Sequence, residues 1–387
     1  MIDIFIYWRL YQLLVVIPVM YFDLAPKSRR EDLFNFEDVL ERLKHGIESS
    51  RIVAVLAPRR YGKTSVLKTF LSESGYPHLF IDARRIIVSE GFMNIRGFMV
   101  ELSNALTNFI RENRSLLDRF IESIKDINGV EISKSSIKLS WSKRNRADIA
   151  SILDRLQRWA SEQGQRIIIA FDEFQEFRPL PVKLTHMLAY VYDNLPNIVI
   201  VVTGSQIGLL YDMLSLDDPS SPLYGRPIYE VRLRRLSRDE AIEFLRKGFE
   251  QTSIKVEEGF LSKAVEKLDG IIGWLTYFGW RVSTEHDLSI ENVLEKASRQ
   301  AVNEIEKFLK ASRSERRYKV ILKTVAEKPL SWSLIKRALE AREGIEIDDK
   351  NFTKLLNQLI KLGFLEKTNH NYIIPDPILK KGINDLM

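Results

Sequence analysis

Two hydrophobic rhythms run along this chain. Up to residue 236, short unbroken apolar runs alternate with segments in which apolar residues recur every three or four positions, and from Ser237 the second rhythm takes over. Unbroken runs fall at 52–56, within 166–173 and at 198–202, and further strands are expected at 79–82 and 228–233. Runs without alternation predict strands buried on both faces of a parallel sheet. The periodic segments predict helices at 36–47, with Val39, Leu40, Leu43 and Ile47 on one face, at 65–72, at 92–111, with Phe98, Leu102, Leu106 and Ile110 in register, and at 149–159. Strands alternating with helices predict an α/β fold, a parallel sheet covered on both faces. Residues 130–141 alternate apolar and polar positions, which predicts an inserted, half-buried hairpin.

The helical part opens on Ser237-Arg238-Asp239-Glu240, the S-x-x-E pattern of a capping box, ahead of a helix running through Phe249. Further helices are predicted at 259–268, 274–282 and 290–310, so that 237–310 reads as a helical lid on an α/β core spanning 23–236. The tail, 311–387, has another character: helices at 316–327, 331–342 and 349–362 precede a hairpin at 363–374. Three helices and a two-stranded wing are the winged-helix order, which places the third helix to enter a DNA major groove. Lys350, Lys354 and Lys361 on that helix are candidate phosphate contacts, with Arg316, Arg317, Lys336, Arg337 and Lys367 as further ones. The acids Glu340, Glu343, Glu346, Asp348 and Asp349 dilute that basic footprint, and a winged helix also serves to dock protein, so both partners stay open. At the other end, 1–22 is an apolar extension interrupted by Arg9 and Gln12. Its uncharged run 13–22 is far shorter than the roughly 20 residues that span a bilayer, and it lacks the positive start of a signal peptide. It reads as a packing strand or helix, or as upstream sequence from a wrong start site, with membrane attachment the less favoured alternative.

With 387 residues, 45% of them hydrophobic and 28% charged, the chain has the make-up of a folded protein of two or three domains. It has no cysteine, which removes disulfides, thiol catalysis and cysteine-based zinc sites, and a cytoplasmic setting fits. His45, His78, His186, His286 and His370 show no ligand spacing, so Mg2+ is the metal to expect. A net charge of +6 permits a nucleic-acid partner without requiring one.

The candidate chemistry sits at the ends of the apolar runs. After 52–56 comes Ala57-Pro58-Arg59-Arg60-Tyr61-Gly62-Lys63-Thr64, then a helical segment that starts with Ser65. A strand, a tight loop and a helix start make a phosphate-binding loop, in which backbone N–H groups and the positive helix end face the anion, and the whole octet with Ser65 is assigned to the nucleotide. Gly62 stands where a positive φ or a close backbone approach is needed. Ala57 replaces the Gly of the strict motif, at a position that only starts the turn. Lys63 is expected to reach the β- and γ-phosphates and Thr64 to hold Mg2+. Asp172 and Glu173 close the 166–173 run and supply what the loop lacks: Asp172 a carboxylate to contact the metal through a water, Glu173 a group to orient or deprotonate the attacking water. The 198–202 run ends in Thr203-Gly204-Ser205-Gln206, and ligands of open parallel sheets gather at strand carboxyl ends. Ser205 is accordingly a candidate contact of the γ-phosphate or the attacking water, or else a helix N-cap. Arg226, in Tyr224-Gly225-Arg226-Pro227, is a candidate cation for developing phosphate charge, in cis or on a neighbouring subunit, or else a solvated loop arginine.

Together, A-P-R-R-Y-G-K-T-S-V-L, I-I-I-A-F-D-E-F-Q, V-V-T-G-S and L-Y-G-R-P resemble the archaeal ATPase family of P-loop proteins, which is related to the AAA+ and STAND ATPases. The resemblance extends from Asp23 to the end of the chain. Residues 26–34 look like the family's lead-in beside the adenine, which brings in Arg29 as a candidate nucleotide contact, and 270–275 resembles the lid's Gly-rich turn without its proline. The resemblance implies ATP rather than GTP, dependence on Mg2+, and a conformational cycle between core and lid. The expectation is an ATPase whose lid repositions the winged helix on double-stranded DNA. The alternative is a slow-turnover signalling or assembly scaffold whose winged helix binds protein.

Overall fold

The computed structural model describes residues 20–387 apart from 114–117, 134–135, 143–146 and 287, so most of the apolar extension, 1–19, lies outside the described residues. In chain order, helix α1 (Glu37–Ser49) leads to strand β1 (Ile52–Leu56), α2 (Lys63–Glu73), β2 (His78–Asp82), α3 (Ala83–Glu90), α4 (Ile95–Glu112) and α5 (Asp118–Lys125). The hairpin β3 (Val130–Ile132) and β4 (Ile137–Leu139) follows, then α6 (Ile149–Glu162), β5 (Ile167–Asp172), α7 (Leu184–Asn194), β6 (Ile198–Gly204), α8 (Ile207–Leu214) and β7 (Tyr229–Arg232). Five strands form one sheet in the order β2-β5-β6-β1-β7, every neighbouring pair parallel. The loop after Leu56, the end of β5 at Asp172 and the end of β6 at Gly204 therefore share one edge.

Strands β1, β5 and β6 are buried at every position because alternate residues feed two cores. Val53, Val55, Ala170 and Val201 face α1 and the helices beyond residue 237, while Ala54, Ile169, Phe171 and Ile200 face α4, α6 and α7. Helix α4 starts at Ile95, later than the periodicity alone places it, because the Asn94 side chain accepts from Gly97 N at 2.9 Å and caps it there. Helices α3, α5, α7 and α8 go unannounced in the pattern: at 8 to 11 residues each, their period does not stand out from a single apolar run.

Helices α9 (Arg238–Gln251), α10 (Glu258–Leu268), α11 (Ile272–Glu285) and α12 (Ile290–Ala311) follow. The capping box forms, Ser237 accepting from Glu240 N while the Glu240 carboxylate accepts from Ser237 N. Phe22, the last residue of the apolar extension, plugs into this layer: a Cβ on Gly248 of α9 or Gly279 of α11 would lie 2.2 Å from its ring. The tail consists of α13 (Glu315–Glu327), β8 (Leu330–Ser331), α14 (Trp332–Glu343), α15 (Asp349–Lys361), β9 (Glu366–Thr368) and β10 (Asn371–Ile373), a winged helix whose short β8 joins the wing in a β8-β10-β9 sheet. A helix that the pattern reading omits, α16 (Pro377–Leu386), closes the chain, its start fixed by the Asp376 carboxylate accepting from Ile378 N and Leu379 N. It packs on α12 at Gly382, where a Cβ would meet Ser298 O at 2.8 Å. No helix among the described residues is long and apolar enough to cross a membrane.

Candidate functional site

The loop after β1 turns on two left-handed residues, Arg60 at φ 69° and Gly62 at φ 87°. Glycine adopts that conformation freely; an arginine does so at a cost that its surroundings must offset. Here the Arg60 carbonyl accepts from Gly273 N at 2.8 Å, its guanidinium lies 3.9 Å from the Trp274 ring centroid, and Nη1 donates to Glu304 Oε2 at 3.1 Å. Arg59 reaches the same carboxylate at 3.5 Å. A Cβ at position 273 would lie 2.8 Å from the Arg60 carbonyl oxygen, so glycine is what lets α11 begin so close to the loop. Tyr61 turns away from the loop's open side and accepts from Arg235 Nε at 2.7 Å, while Arg235 also bonds Asp269 and donates to Pro375 O at 2.6 Å. Trp274 Nε1 donates to Asp376 Oδ2 at 2.9 Å. The α11–α12 layer and the tail thus clamp the loop together.

Helix α2 begins directly behind Gly62, which has no side chain to cap it, and its first turn borders an open cavity of about 660 Å3. Uncapped N–H groups and a positive helix end make this border suited to an anion. Beyond it the cavity continues along an apolar wall that includes Pro26, Phe34, Phe36, Phe244 and Ile272, suited to a flat ring. Lys63 is 5% exposed and donates to Ala57 O at 2.7 Å and Pro58 O at 2.8 Å, so the loop's own carbonyls hold it. Burial lowers its pKa to about 8, against the raising pull of Glu173 and Asp172.

Thr64 Oγ1 donates to Asp172 Oδ2 at 3.0 Å. Asp172, fully buried, also accepts from Thr203 Oγ1 at 2.6 Å and from Arg84 Nη2 at 2.5 Å. Burial raises its pKa, only partly opposed by the Thr203 hydrogen bond and the Arg84 charge. A hydroxyl and a carboxylate converging here, with a cation already drawn to them, are a donor pair that fits a hard divalent ion such as Mg2+. Glu173 stands in the left-handed region at φ 55° and ψ 56°, the kind of backbone strain that gathers at functional sites. Its Oε2 accepts from Ser205 Oγ at 2.6 Å, Ser205 N at 3.1 Å and Gln175 Nε2 at 2.7 Å. Burial acts to raise the Glu173 pKa, but the Lys63 charge and the bonds from Ser205 and Gln175 outweigh it, and the carboxyl lies below its ordinary value. A carboxylate kept ionised is suited to accept a proton.

Among the residues singled out in the sequence, Arg59, Arg60, Gly62, Lys63, Thr64, Ser65 and Glu173 border the cavity, and Asp172 and Ser205 meet them through the bonds just described. Ser65 Oγ accepts from Lys27 N at 3.1 Å. Ser205 does not cap α8; Gln206 holds that position, and the Ser205 hydroxyl is given to Glu173. Arg226 is not brought to the loop within one chain. It pairs with Asp193 at 2.7 Å, near the end of α7, and α7 has carried the chain back to the amino-terminal edge of the sheet before β6 begins. Arg29 pairs with Glu31 at 2.7 Å and Asp32 at 2.8 Å, and Lys27 and Asp32 of that segment, rather than Arg29, border the cavity. Arg84, Gln175, Trp274 and Glu304 were not singled out. For Arg84 a signal existed: it follows the carboxyl end of a parallel strand, where ligands collect.

The model of the ATPase domain predominantly from Archaea matches residues 33–278, and that of the MCM protein C-terminal winged helix-turn-helix domain matches 311–374. Among solved structures, a Walker-type ATPase of Pyrococcus abyssi is 33% identical with a TM-score of 0.78, over 94% of this chain and 99% of that one. The ORC2 protein of Aeropyrum pernix, solved in ADPNP-ADP complexes, is 14% identical with a TM-score of 0.52, over 90% of this chain and 89% of that one, a likeness of fold. A comparison with curated proteins gave no match. The family match over most of the chain, and one-third identity along nearly its whole length to a Walker-type ATPase, agree with the loop and sheet edge described above: the chain belongs to the family of ATPase domains found predominantly in Archaea.

Proposed function

We propose that this protein hydrolyses Mg2+-bound ATP and uses the resulting movement of its lid, 237–310, to reposition the winged helix on double-stranded DNA. The observation that carries the reading is the convergence of Lys63, Thr64, Asp172 and Glu173 at one edge of the sheet. The adenine lies along the apolar wall and the phosphates at the start of α2. Lys63, released from the Ala57 and Pro58 carbonyls, turns to the β- and γ-phosphates, where an anion restores its full charge. Thr64 and Asp172 would hold the metal ion, which would neutralise phosphate charge as a Lewis acid. Glu173 orients the attacking water and takes its proton, with Ser205 and Gln175 fixing the carboxylate. Arg226, on the far edge of its own sheet, serves the site of a neighbouring subunit. Because Arg59 and Arg60 reach from the loop to Glu304 and Trp274, a change at the phosphates is felt first by α11 and α12, and by the tail through Arg235 and Asp376.

A second reading, a slow-turnover scaffold whose winged helix grips protein, draws on the pairing within the tail. Arg317 is bound to Glu343 at 2.9 Å, Lys336 to Asp349 at 2.6 Å and Lys361 to Asp212 at 2.7 Å, which leaves Lys350 and Lys354 as the exposed cations of α15. ATP turnover measured with and without double-stranded DNA, alongside DNA affinity over a range of salt, separates the two. The DNA reading expects turnover to change on DNA and log affinity to fall with log salt at a slope of about −2 or steeper. A slope near zero selects the scaffold, and bound ATP that never turns over contradicts hydrolysis.

A further inference from the structure

A buried carboxylate needs a counter-charge, and Asp172 is 0% exposed. The counter-charge in this structure is Arg84, whose Nη2 donates to Asp172 Oδ2 at 2.5 Å and to Thr64 Oγ1 at 3.2 Å. These are the same two groups that the proposed function gives to the metal ion. At its near end Arg84 is tied to Asp82, whose Oδ1 accepts from Arg84 N at 2.9 Å and Nε at 3.4 Å. Its side chain is 50% exposed and borders the cavity, so it has room to leave without losing that tether. The neighbouring cations are committed otherwise: Arg59 and Arg60 to Glu304, Lys63 to the loop carbonyls.

We propose that Arg84 is a positioning residue that keeps the metal's place: its guanidinium neutralises Asp172 and holds Thr64 until a divalent cation takes the same two ligands and displaces it. The inference rests on the nucleotide-site reading above. Two cations compete for one carboxylate–hydroxyl pair, so Arg84 and Mg2+ are negatively coupled, and the coupling is reciprocal. Without metal, Arg84 lends the phosphates part of the positive charge that Mg2+ otherwise brings; with metal, its departure subtracts from the affinity that Mg2+ adds.

The test is calorimetric titration of the full chain with ADP, in EDTA and in excess Mg2+, for the wild type and Arg84→Gln. The gain in ADP affinity on adding Mg2+ is expected to be about tenfold larger in Arg84→Gln than in the wild type. Arg84→Lys, which keeps a point charge but loses the planar fork, is expected to fall between them and carries the comparison if the glutamine variant does not fold. An equal or smaller gain in the variants overturns the role of Arg84 while leaving the nucleotide site standing. No ADP binding by the wild type in either condition overturns the site reading and this role with it.

Discussion

Glu173 is held by three donors, two of them from Ser205. The Ser205 hydroxyl favours the ionised carboxylate, so Ser205→Ala raises the Glu173 pKa. A general base works ionised, and the rate falls as pH drops through its pKa, so the acid limb of the kcat/KM profile is expected to move to higher pH by about half a unit or more in Ser205→Ala. An unmoved limb would show that another group titrates there. Gly62→Ala tests the loop itself: at φ 87°, with the Phe36 ring 3.1 Å from a new Cβ, it is expected to lower unfolding free energy by about 1–2 kcal/mol in a denaturant titration. Gly62, Lys63, Thr64, Asp172 and Glu173 could be read in the sequence because each is announced by its own strand and its immediate neighbours. For Arg84 the sequence showed only its place after the end of β2; its role rests on contact with a carboxylate 88 residues further on, and Glu304 lies 244 residues from the Arg60 it binds.

Elements are stabilised where their ends are fixed. Glu240 completes the capping box of α9 and pairs with Arg234, and that bond, with others from Ser237 and Asn35, holds its pKa at about 2, below the ordinary 4.5. A carboxyl depressed in the folded state contributes stability above the unfolded value and loses it as pH falls through the folded one. Glu240→Gln is therefore expected to be less stable than the wild type above about pH 4.5, with the difference closing as pH approaches 2 in thermal unfolding. At the start of α11, Gly273→Ala sets a Cβ 2.7 Å from that of Arg60, and overpacking of this kind costs about 1–3 kcal/mol, which a denaturant titration reads directly. The strands β1, β5 and β6 were legible as unbroken apolar runs because both faces are buried. Edge strand β7 is shorter than its run, with only Val231 fully buried. Helix α16 went unread although Asp376-Pro377 is a helix-start signal, an N-cap followed by a proline in the first turn. Arg226 was legible as a cation in a loop, but its edge of the sheet depends on α7, whose 11 residues carried no distinct period.

At the scale of the molecule, the tail does not hang free of the core. The end of α15 rests on α8, where a Cβ on Gly208 would lie 2.6 Å from Lys361 Cα and Lys361 Nζ meets Asp212 at 2.7 Å. The turn that follows places Gly363 against the carbonyl of Ser205, the residue that holds Glu173. Asp212→Lys sets two like charges together and is expected to loosen this contact, raising the radius of gyration in solution scattering; unchanged scattering would show that the latch carries no weight. None of this docking was visible in the sequence, where the core, lid and tail read as successive segments. The proposed function stands on the loop after β1 and the acids at the end of β5 forming one ATP-hydrolysing site. Steady-state ATP turnover with Mg2+, measured in parallel for the wild type, Lys63→Ala and Glu173→Gln, tests it most directly. The expected result is turnover by the wild type, loss of both nucleotide binding and turnover in Lys63→Ala, and retained binding with turnover lowered by about a hundredfold or more in Glu173→Gln. Turnover by Lys63→Ala or Glu173→Gln at the wild-type rate would contradict it.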